Sequence, residues 1–465
     1  MPEHAYIMLI IILYGRLNGG ETVRLKKNDP NARQRIIQFE LNSNRKQCII
    51  LSALTYASSK LWNVANYERY EWQKESGLPY PDWYEQKAKL KENFWYKNLP
   101  SQTAQEVFKQ LDEAWSSFYK LKKTGGIENP RPPKYKHSNF NIRYLNKGFV
   151  ISDGVIRLTV PKQQKLYMKQ KYALDTDFLY IQIPDRYKNF AGKAKVIEII
   201  PIPKSSRYKV NIIVDLPAAQ YKQDNGIYMA IDLGINNLMT CYISTGKTYI
   251  ISGRQLLSIN RYFDKEISHY QSIAYAQQSK AGVKHNSTKR IQKLYQKRSR
   301  QVEHLLHAAT KNVIDIAISE HVSAIVIGDL SHIRDNKDMG HVNNQKFHKW
   351  PFKKVLDLIS YKAQDNEIVI EPPQDESYTS QCSPYAKEVS EATAQGNNRK
   401  YRGLYIAEVE AYNADCVGAY NILKKYLCRI GKANPAVVAL DTPEMYRWNR
   451  YRFIGNPKLA NLLAM

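Results

Sequence analysis

Two aspartates stand where metal chemistry is readily built. The segment Met229-Ala230-Ile231-Asp232-Leu233-Gly234-Ile235-Asn236-Asn237 delivers Asp232 at the end of an apolar run that turns on Gly234. Far downstream, Asn413-Ala414-Asp415 opens a segment in which Ala419, Ile422 and Leu423 recur at helical spacing. Taken singly, each has an ordinary explanation: Asp232 as a satisfied turn residue, Asp415 as a first-turn acid favoured by the helix dipole. Taken together they suggest carboxylates that hold a hard cation. Mg²⁺ prefers oxygen ligands and keeps part of its water shell. Two such ions activate an attacking water and stabilise a leaving 3′ oxygen. Three carboxylates are the usual minimum for holding such a pair, so a third is required.

The elements that must position these groups follow from hydrophobic periodicity. Residues 36–40 read as a short strand, and Ile50, Ala53, Leu54, Ala57, Leu61, Val64 and Ala65 as one face of a helix. A second helix is expected over 101–123, with Thr103 and Glu106 as a capping box and Gly125-Gly126 as its stop. A stiff basic linker, 129–134, comes next. From about 140 to 216 the pattern is strand-like, with a hairpin signal at Asp153-Gly154 and a turn at Ser205-Ser206 between strands 196–200 and 210–214. This predicts a small antiparallel barrel or sheet. From residue 228 the order becomes α/β: strands 228–231, 239–243 and 247–251, helices 255–278 and 287–320, strands 324–327 and 368–370, and a final helix near Asn413. Strand 368–370 is expected beside 324–327, itself beside the Asp232 strand, all parallel. Their C-terminal ends then share one edge, where α/β sites form. A first-strand Asp and a late-helix Asp flanking a basic α/β segment suit an RNase-H-like nuclease core.

The chain has 465 residues, 43% hydrophobic and 24% charged, which predicts a globular protein of two or three domains. Its net charge of +26 predicts a polyanionic partner, since phosphate contacts release condensed counterions. The five cysteines, at 48, 241, 382, 416 and 428, form no closely spaced pairs, which argues for a reducing cytosol rather than a disulfide framework. The apolar run at 5–14 is short beside the roughly twenty residues of a membrane span, and only Glu3 and His4 precede it, so no membrane is expected. Residues 280–300 carry eight Lys or Arg and no acid. Lys289, Arg290, Lys293, Lys297 and Arg298 are candidates for tracking phosphates. Trp62, Tyr67, Tyr70, Trp83 and Tyr84 are candidates for stacking on unpaired bases, whereas Trp115 and Phe118 read as core.

The Asp232 motif, Tyr378-Thr379-Ser380-Gln381 and the run from Asn413-Ala414-Asp415 to Gly418-Ala419-Tyr420-Asn421-Ile422-Leu423, in that order, resemble the TnpB family. These proteins are encoded by insertion sequences and related to compact type V CRISPR effectors. The resemblance extends from about residue 36 to 430 and includes Pro81-Asp82-Trp83-Tyr84 and Leu99-Pro100-Ser101-Gln102. It implies an RNA-guided DNA endonuclease with a split RuvC-type core, a guide RNA from the element's end and a double-stranded DNA target whose heteroduplex is read by shape. The implied fold is multidomain α+β. An extension at 1–35 precedes a wedge-type β domain at 36–48 and 140–222, with a helical recognition domain and linker at 49–139. A RuvC-like core at 223–380 and 401–430 encloses an insert at 381–400, and a basic, aromatic tail occupies 431–465.

Two positions depart from the family pattern. The middle carboxylate is normally a Glu ending the strand 324–327, but Gly328 stands there, with Asp329 after it. There are three readings: Glu376, in Asp375-Glu376-Ser377, supplies the group from the neighbouring strand; Asp329 supplies it from next door; or cleavage is lost. Glu376 is favoured, because a one-residue offset reverses side-chain direction along a strand. The metal-binding set is then Asp232, Glu376 and Asp415, for two Mg²⁺. The family also places two CxxC pairs before the last Asp. Here Tyr385 stands where the partner of Cys382 belongs and no second pair is present, so no structural zinc is expected. Two alternatives are a guided DNA-binding protein without cleavage, suggested by Gly328, and a conventional transposase.

Overall fold

A computed structural model describes residues 33–455 apart from 126–127, 204, 330–339, 341–348, 400, 402 and 408–409. The apolar run at 5–14, most of the expected extension at 1–35, and Gly126 lie outside the described residues. A break at Ala218 and Ala219 divides the chain into two compact units.

In the first unit, strand β1 (Arg33–Asn42) runs into helix α1 (Arg45–Ser76). Asn44 and Gln47 form a reciprocal capping box, so the helix starts at Arg45 rather than at the boundary near 49 that apolar spacing suggested. Helices α2 (Trp83–Lys89), α3 (Phe94–Lys97) and α4 (Ser101–Thr124) come next. The expected face of α4 is buried, and Gly125 ends the helix at φ 66° in the left-handed region. Its start differs from expectation. Pro100 is the N-cap, its fixed φ sets the first turn, and Thr103 with Glu106 forms no capping box.

The unit is completed by β2 (Ile142–Leu145), β3 (Phe149–Ser152), β4 (Val155–Thr159), α5 (Lys162–Tyr172), β5 (Phe178–Gln182), β6 (Lys193–Pro201) and β7 (Arg207–Leu216). Asp153 and Gly154, at φ 51° and 72°, make the expected tight turn between β3 and β4. Of the barrel or sheet expected, hydrogen bonds give antiparallel sheets, two of them, β1-β7-β6-β2 and β3-β4-β5. Helix α5 connects β4 to β5, which pair antiparallel, and Pro184, without an N–H to donate, comes after β5. Helices and strands share one apolar core, which includes Phe39, Leu54, Phe108, Ile156 and Val210.

The second unit contains β8 (Tyr228–Asp232), β9 (Asn237–Ile243), β10 (Thr248–Ser252), α6 (Arg254–Lys280), α7 (Lys289–Ser319), β11 (Ala324–Asp329) and α8 (Phe352–Asp365). After these come β12 (Val369–Ile370), β13 (Gln374–Asp375), β14 (Leu404–Ala407), β15 (Glu410–Asn413), α9 (Ala414–Arg429), β16 (Glu444–Asn449) and β17 (Arg452–Gly455). The main sheet runs β12-β11-β8-β9-β10-β16-β17, with β13 also beside β11. β8 pairs antiparallel with β9, and β9 with β10; β11 pairs parallel with β8, β12 and β13. The parallel neighbours expected from the apolar runs are therefore present, and the ends of β8 and β11 lie on one edge.

Strands β8 and β11 are apolar up to their C-terminal ends, at Asp232 and at Gly328-Asp329, because both faces are covered. Met229, Ile231, Ile325 and Ile327 pack into the core with residues of α6, α7 and α8. Tyr228, Ala230, Ala324 and Val326 pack with Val417, Ala419 and Leu423 of α9. Residues 444–455, set apart by sequence as tail, join this sheet: β16 runs parallel to β10 and hairpins into β17. The period-two alternation of Tyr446 and Trp448 toward the core, opposite Met445, is the signal that their basic, aromatic composition obscured. No helix among the described residues is long and apolar enough to cross a membrane.

Candidate active site

Asp232 ends β8 and meets α9 where that helix has no side chain. A β-carbon on Gly418 would lie 2.7 Å from Asp232 Oδ2. Asp415 sits in the first turn of α9, whose N-cap Asn413 accepts from the Asp415 and Cys416 amides at 3.0 and 3.3 Å. From β9, Asn237 Nδ2 donates to Asp415 Oδ2 at 2.7 Å, tying the helix start to the sheet. Arg399 Nη2 lies 3.6 Å from Asp415 Oδ1.

Glu376 comes directly after β13, whose register sets Gln374 opposite Gly328 and Asp375 opposite Asp329. Its carboxylate lies over Gly328. A β-carbon built there would fall 1.7 Å from Glu376 Oε1 and 2.5 Å from Cδ. The side chain of Glu376 thus occupies the space into which a glutamate at 328 would extend. Thr379 holds the next turn, its amide and hydroxyl donating to the Glu376 carbonyl at 3.1 and 2.8 Å. Asp329 is exposed at the end of β11.

These carboxyls oppose one another. Burial, then the charge of Asp415, pushes the Asp232 carboxyl above the usual carboxylate range, with Arg399 pulling the other way. Burial, then Asp232 and Asp329, does the same to Glu376. Glu376 Oε1 is buried with no hydrogen-bond partner among the described residues. An orphaned carboxylate oxygen among mutually repelling acids fits a divalent cation with oxygen ligands. Among the described residues no three His, Cys, Asp or Glu groups close on one point.

A stability signature follows from the raised carboxyls. Groups whose folded pKa lies above the unfolded value stabilise fully below the unfolded pKa, and that stability is lost as pH rises through the folded one. Metal-free protein is expected to melt lower at about pH 8 than at about pH 5.5, and Asp232→Asn or Glu376→Gln to narrow the gap by a few degrees. Calorimetry of metal-free samples checks this; a gap that both substitutions leave unchanged would refute it.

The insert is held by hydrogen bonds and tyrosine packing. Buried Cys382 donates to the Ser390 carbonyl at 3.3 Å. Tyr385, where a second thiolate belongs in the family pattern, places its hydroxyl 2.6 Å from that of Tyr412 and donates to Glu410 at 2.9 Å. From α9, Asn421 Nδ2 donates to the carbonyls of Thr379 and Cys382 at 2.8 and 2.9 Å, and Lys424 to those of Pro384, at 3.0 Å, and Ala386.

The basic candidates divide. Lys289, Lys293 and Lys297 are exposed at four-residue spacing on α7, forming one stripe. Arg298 is turned inward, with Nε and Nη2 at 3.0 and 2.7 Å from Asn260 Oδ1 of α6, and Arg290 stacks on Tyr270 with 3.6 Å to the ring centroid. Among the aromatic candidates, Tyr67 and Tyr84 are exposed, whereas Trp62 is buried and donates to the Lys134 carbonyl at 3.2 Å. Arg399, Asn237 and Gly418 are site neighbours that spacing did not single out. Asn237 and Gly418 lie inside the motifs already noted, but Arg399 comes from an aperiodic insert and only the fold brings it to Asp415.

Comparison with known proteins agrees with this architecture. A family model described as a probable transposase, OrfB_IS605, matches residues 208–334. The TnpB-like protein ORF457 of Acidianus two-tailed virus is 25% identical over 408 residues, covering 81% of this chain and 83% of that protein. The CRISPR-associated endodeoxyribonuclease Cas12f1 of Sulfoacidibacillus thermotolerans is 24% identical over 297 residues, covering 61% of this chain and 66% of that protein. A solved Cas12f1–sgRNA–target DNA complex shares the fold, with a TM-score of 0.58 at 18% identity over 82% of this chain and 83% of that one. With the ordered motifs, the multidomain α/β architecture and these relatives, the chain is TnpB-like and akin to the compact type V effectors.

Proposed function

We propose that this chain is an RNA-guided, Mg²⁺-dependent DNA endonuclease of a transposable element, with Asp232, Glu376 and Asp415 as the carboxylates of an RNase-H-like, RuvC-type site. The observation that carries this reading is the Glu376 carboxylate over Gly328, where it restores a third acid beside Asp232. The same observation weighs against a binder that has lost cleavage. Mg²⁺ held by the three carboxylates would supply the activated water and stabilise the leaving 3′ oxygen. Asn237 orients Asp415, Arg399 moderates the negative charge between Asp415 and Asp232, and Gly418 leaves Asp232 its space. Lys289, Lys293 and Lys297 provide a stripe for phosphates, which suits guide RNA and target DNA. No zinc is assigned to the insert, where Cys382 donates to the Ser390 carbonyl and Tyr385 meets Tyr412.

The test has two stages. Expressed with its native downstream flank, the protein is expected to copurify one dominant RNA whose tail defines a target. A matched plasmid should then be cut with Mg²⁺ and not with chelator. Asp329→Asn should keep cleavage within about tenfold of wild type, since Asp329 is not among the ligands. Scattered RNA removed by moderate salt would overturn the guided reading. Guided binding without cutting would leave only the binder, and joined DNA ends from this protein alone would favour the transposase.

A further inference from the structure

Helix α9 faces the site at Asp415, Gly418, Asn421 and Lys425, positions i, i+3, i+6 and i+10 on one side of the helix. Asp415 belongs to the carboxylate set, Gly418 makes room for Asp232, and Asn421 fastens the turn after Glu376. Lys425 completes that side of the helix. Its side chain is only 15% exposed. Its Nζ donates to the Asp375 carbonyl at 3.2 Å, to Asp375 Oδ2 at 2.8 Å and to the Ser377 carbonyl at 2.9 Å. An ammonium has three donors, so all three are engaged within the chain, by the residues on either side of Glu376. Such a lysine serves as a brace rather than as a phosphate contact.

The need for a brace comes from where the acid now resides. A glutamate at 328 would be fixed by the ladder of β11, flanked by β8 and by β12 and β13. Glu376 lies beyond β13, a strand of two residues, separated from the two-residue β12 by Glu371-Pro372-Pro373. Proline contributes no ladder donor, and so short a strand holds the next residue weakly. Asp375 closes a local turn by accepting from the Ser377 amide and hydroxyl at 3.0 and 2.7 Å, but that turn still has to be anchored to something rigid. Lys425 anchors it to the helix that carries Asp415.

We propose that Lys425 is the positioning residue of the relocated carboxylate: by clamping Asp375 and Ser377 it sets Glu376 over Gly328, so that one helix registers all three acids. The proposal rests on Glu376 being a metal-binding carboxylate. Groups that orient a metal ligand typically alter affinity or activity by about 10–100-fold.

The experiment uses full-length protein with its copurified RNA. Mn²⁺ binding is followed by electron paramagnetic resonance, and cleavage of a matched plasmid is followed across a Mg²⁺ titration. Lys425→Met is expected to weaken Mn²⁺ binding about tenfold and to raise the half-saturating Mg²⁺ similarly, with guide and target binding unchanged. Lys425→Arg should recover most of the loss. Asp375→Asn, which spares the two carbonyl contacts, should shift both readouts the same way by a few-fold, and it carries the test if Lys425→Met does not fold. In a Glu376→Gln background, Lys425→Met should cause no further loss of Mn²⁺ affinity, because the two act through one group. Equal losses in both backgrounds, or metal titrations unmoved in both Lys425→Met and Asp375→Asn, would overturn the clamp. A Glu376→Gln protein that binds Mn²⁺ and cuts as wild type does would instead overturn the assignment of Glu376, and the clamp with it.

Discussion

Glu376→Ala and Gly328→Glu are each expected to reduce cleavage of a matched plasmid by about 10³-fold or more, and the double variant to recover to within about 10²-fold of wild type. The first substitution removes the acid proposed as the third ligand. The second grows a side chain into an occupied space, since the new β-carbon would fall 1.7 Å from Glu376 Oε1. Gly328 is on a strand with parallel neighbours on both sides, so its backbone is held and it is the Glu376 side chain that must leave its place. Together the conflict disappears: the carboxylate at 376 is gone, and one at 328 points into the space it left. Reciprocal rescue is the informative outcome. Generic destabilisation would make the double variant worse than either parent, whereas exchange of one ligand between two strands makes it better. Single-turnover kinetics with saturating guide and target measure it. A double variant that folds, binds target and remains as inactive as its parents would refute the equivalence of the two positions.

Gly418→Ala is expected to lower cleavage about 10²-fold while leaving the melting temperature unchanged or slightly raised. Within a helix alanine is favoured over glycine by about 1 kcal/mol, so the backbone of α9 gains from the substitution. The loss falls on the chemistry. The added methyl would stand 2.7 Å from Asp232 Oδ2, and the carboxylate must turn away to avoid it. A displacement of about 1 Å at a reacting centre is enough for an effect of this size. Paired calorimetry and kinetics separate the two contributions. A fully active Gly418→Ala protein would show that Asp232 does not work from the position described.

Much of this arrangement is legible in the sequence because it is carried by burial patterns. Strands β8 and β11 are covered on both faces and therefore read as unbroken apolar runs, which reveal both their type and their parallel pairing. The position of Glu376 beyond a neighbouring strand is a consequence of that pairing. The features that escape are set by tertiary contact. Whether Glu376 reaches Gly328 depends on a bracing lysine far along the chain, and no local signal links positions 376 and 425. Arg399 arrives at Asp415 from an insert without periodicity. Pro100 displaces a capping box that spacing favours, because a fixed φ ahead of α4 outweighs a weak side-chain cap. The hairpin β16–β17 reads as tail by composition, because its charge and aromatic content resemble those of a nucleic-acid-binding arm, although its alternation is that of a sheet strand.

The contact between Glu376 and Gly328 also bears on how relatives of such a chain are read. Glutamates at 328 and 376 cannot both keep these conformations, because the β-carbon of the one at 328 would fall on the Glu376 carboxylate. Relatives that bear a small residue at this position are best judged by the residues just beyond the adjacent strand before they are counted as inactive.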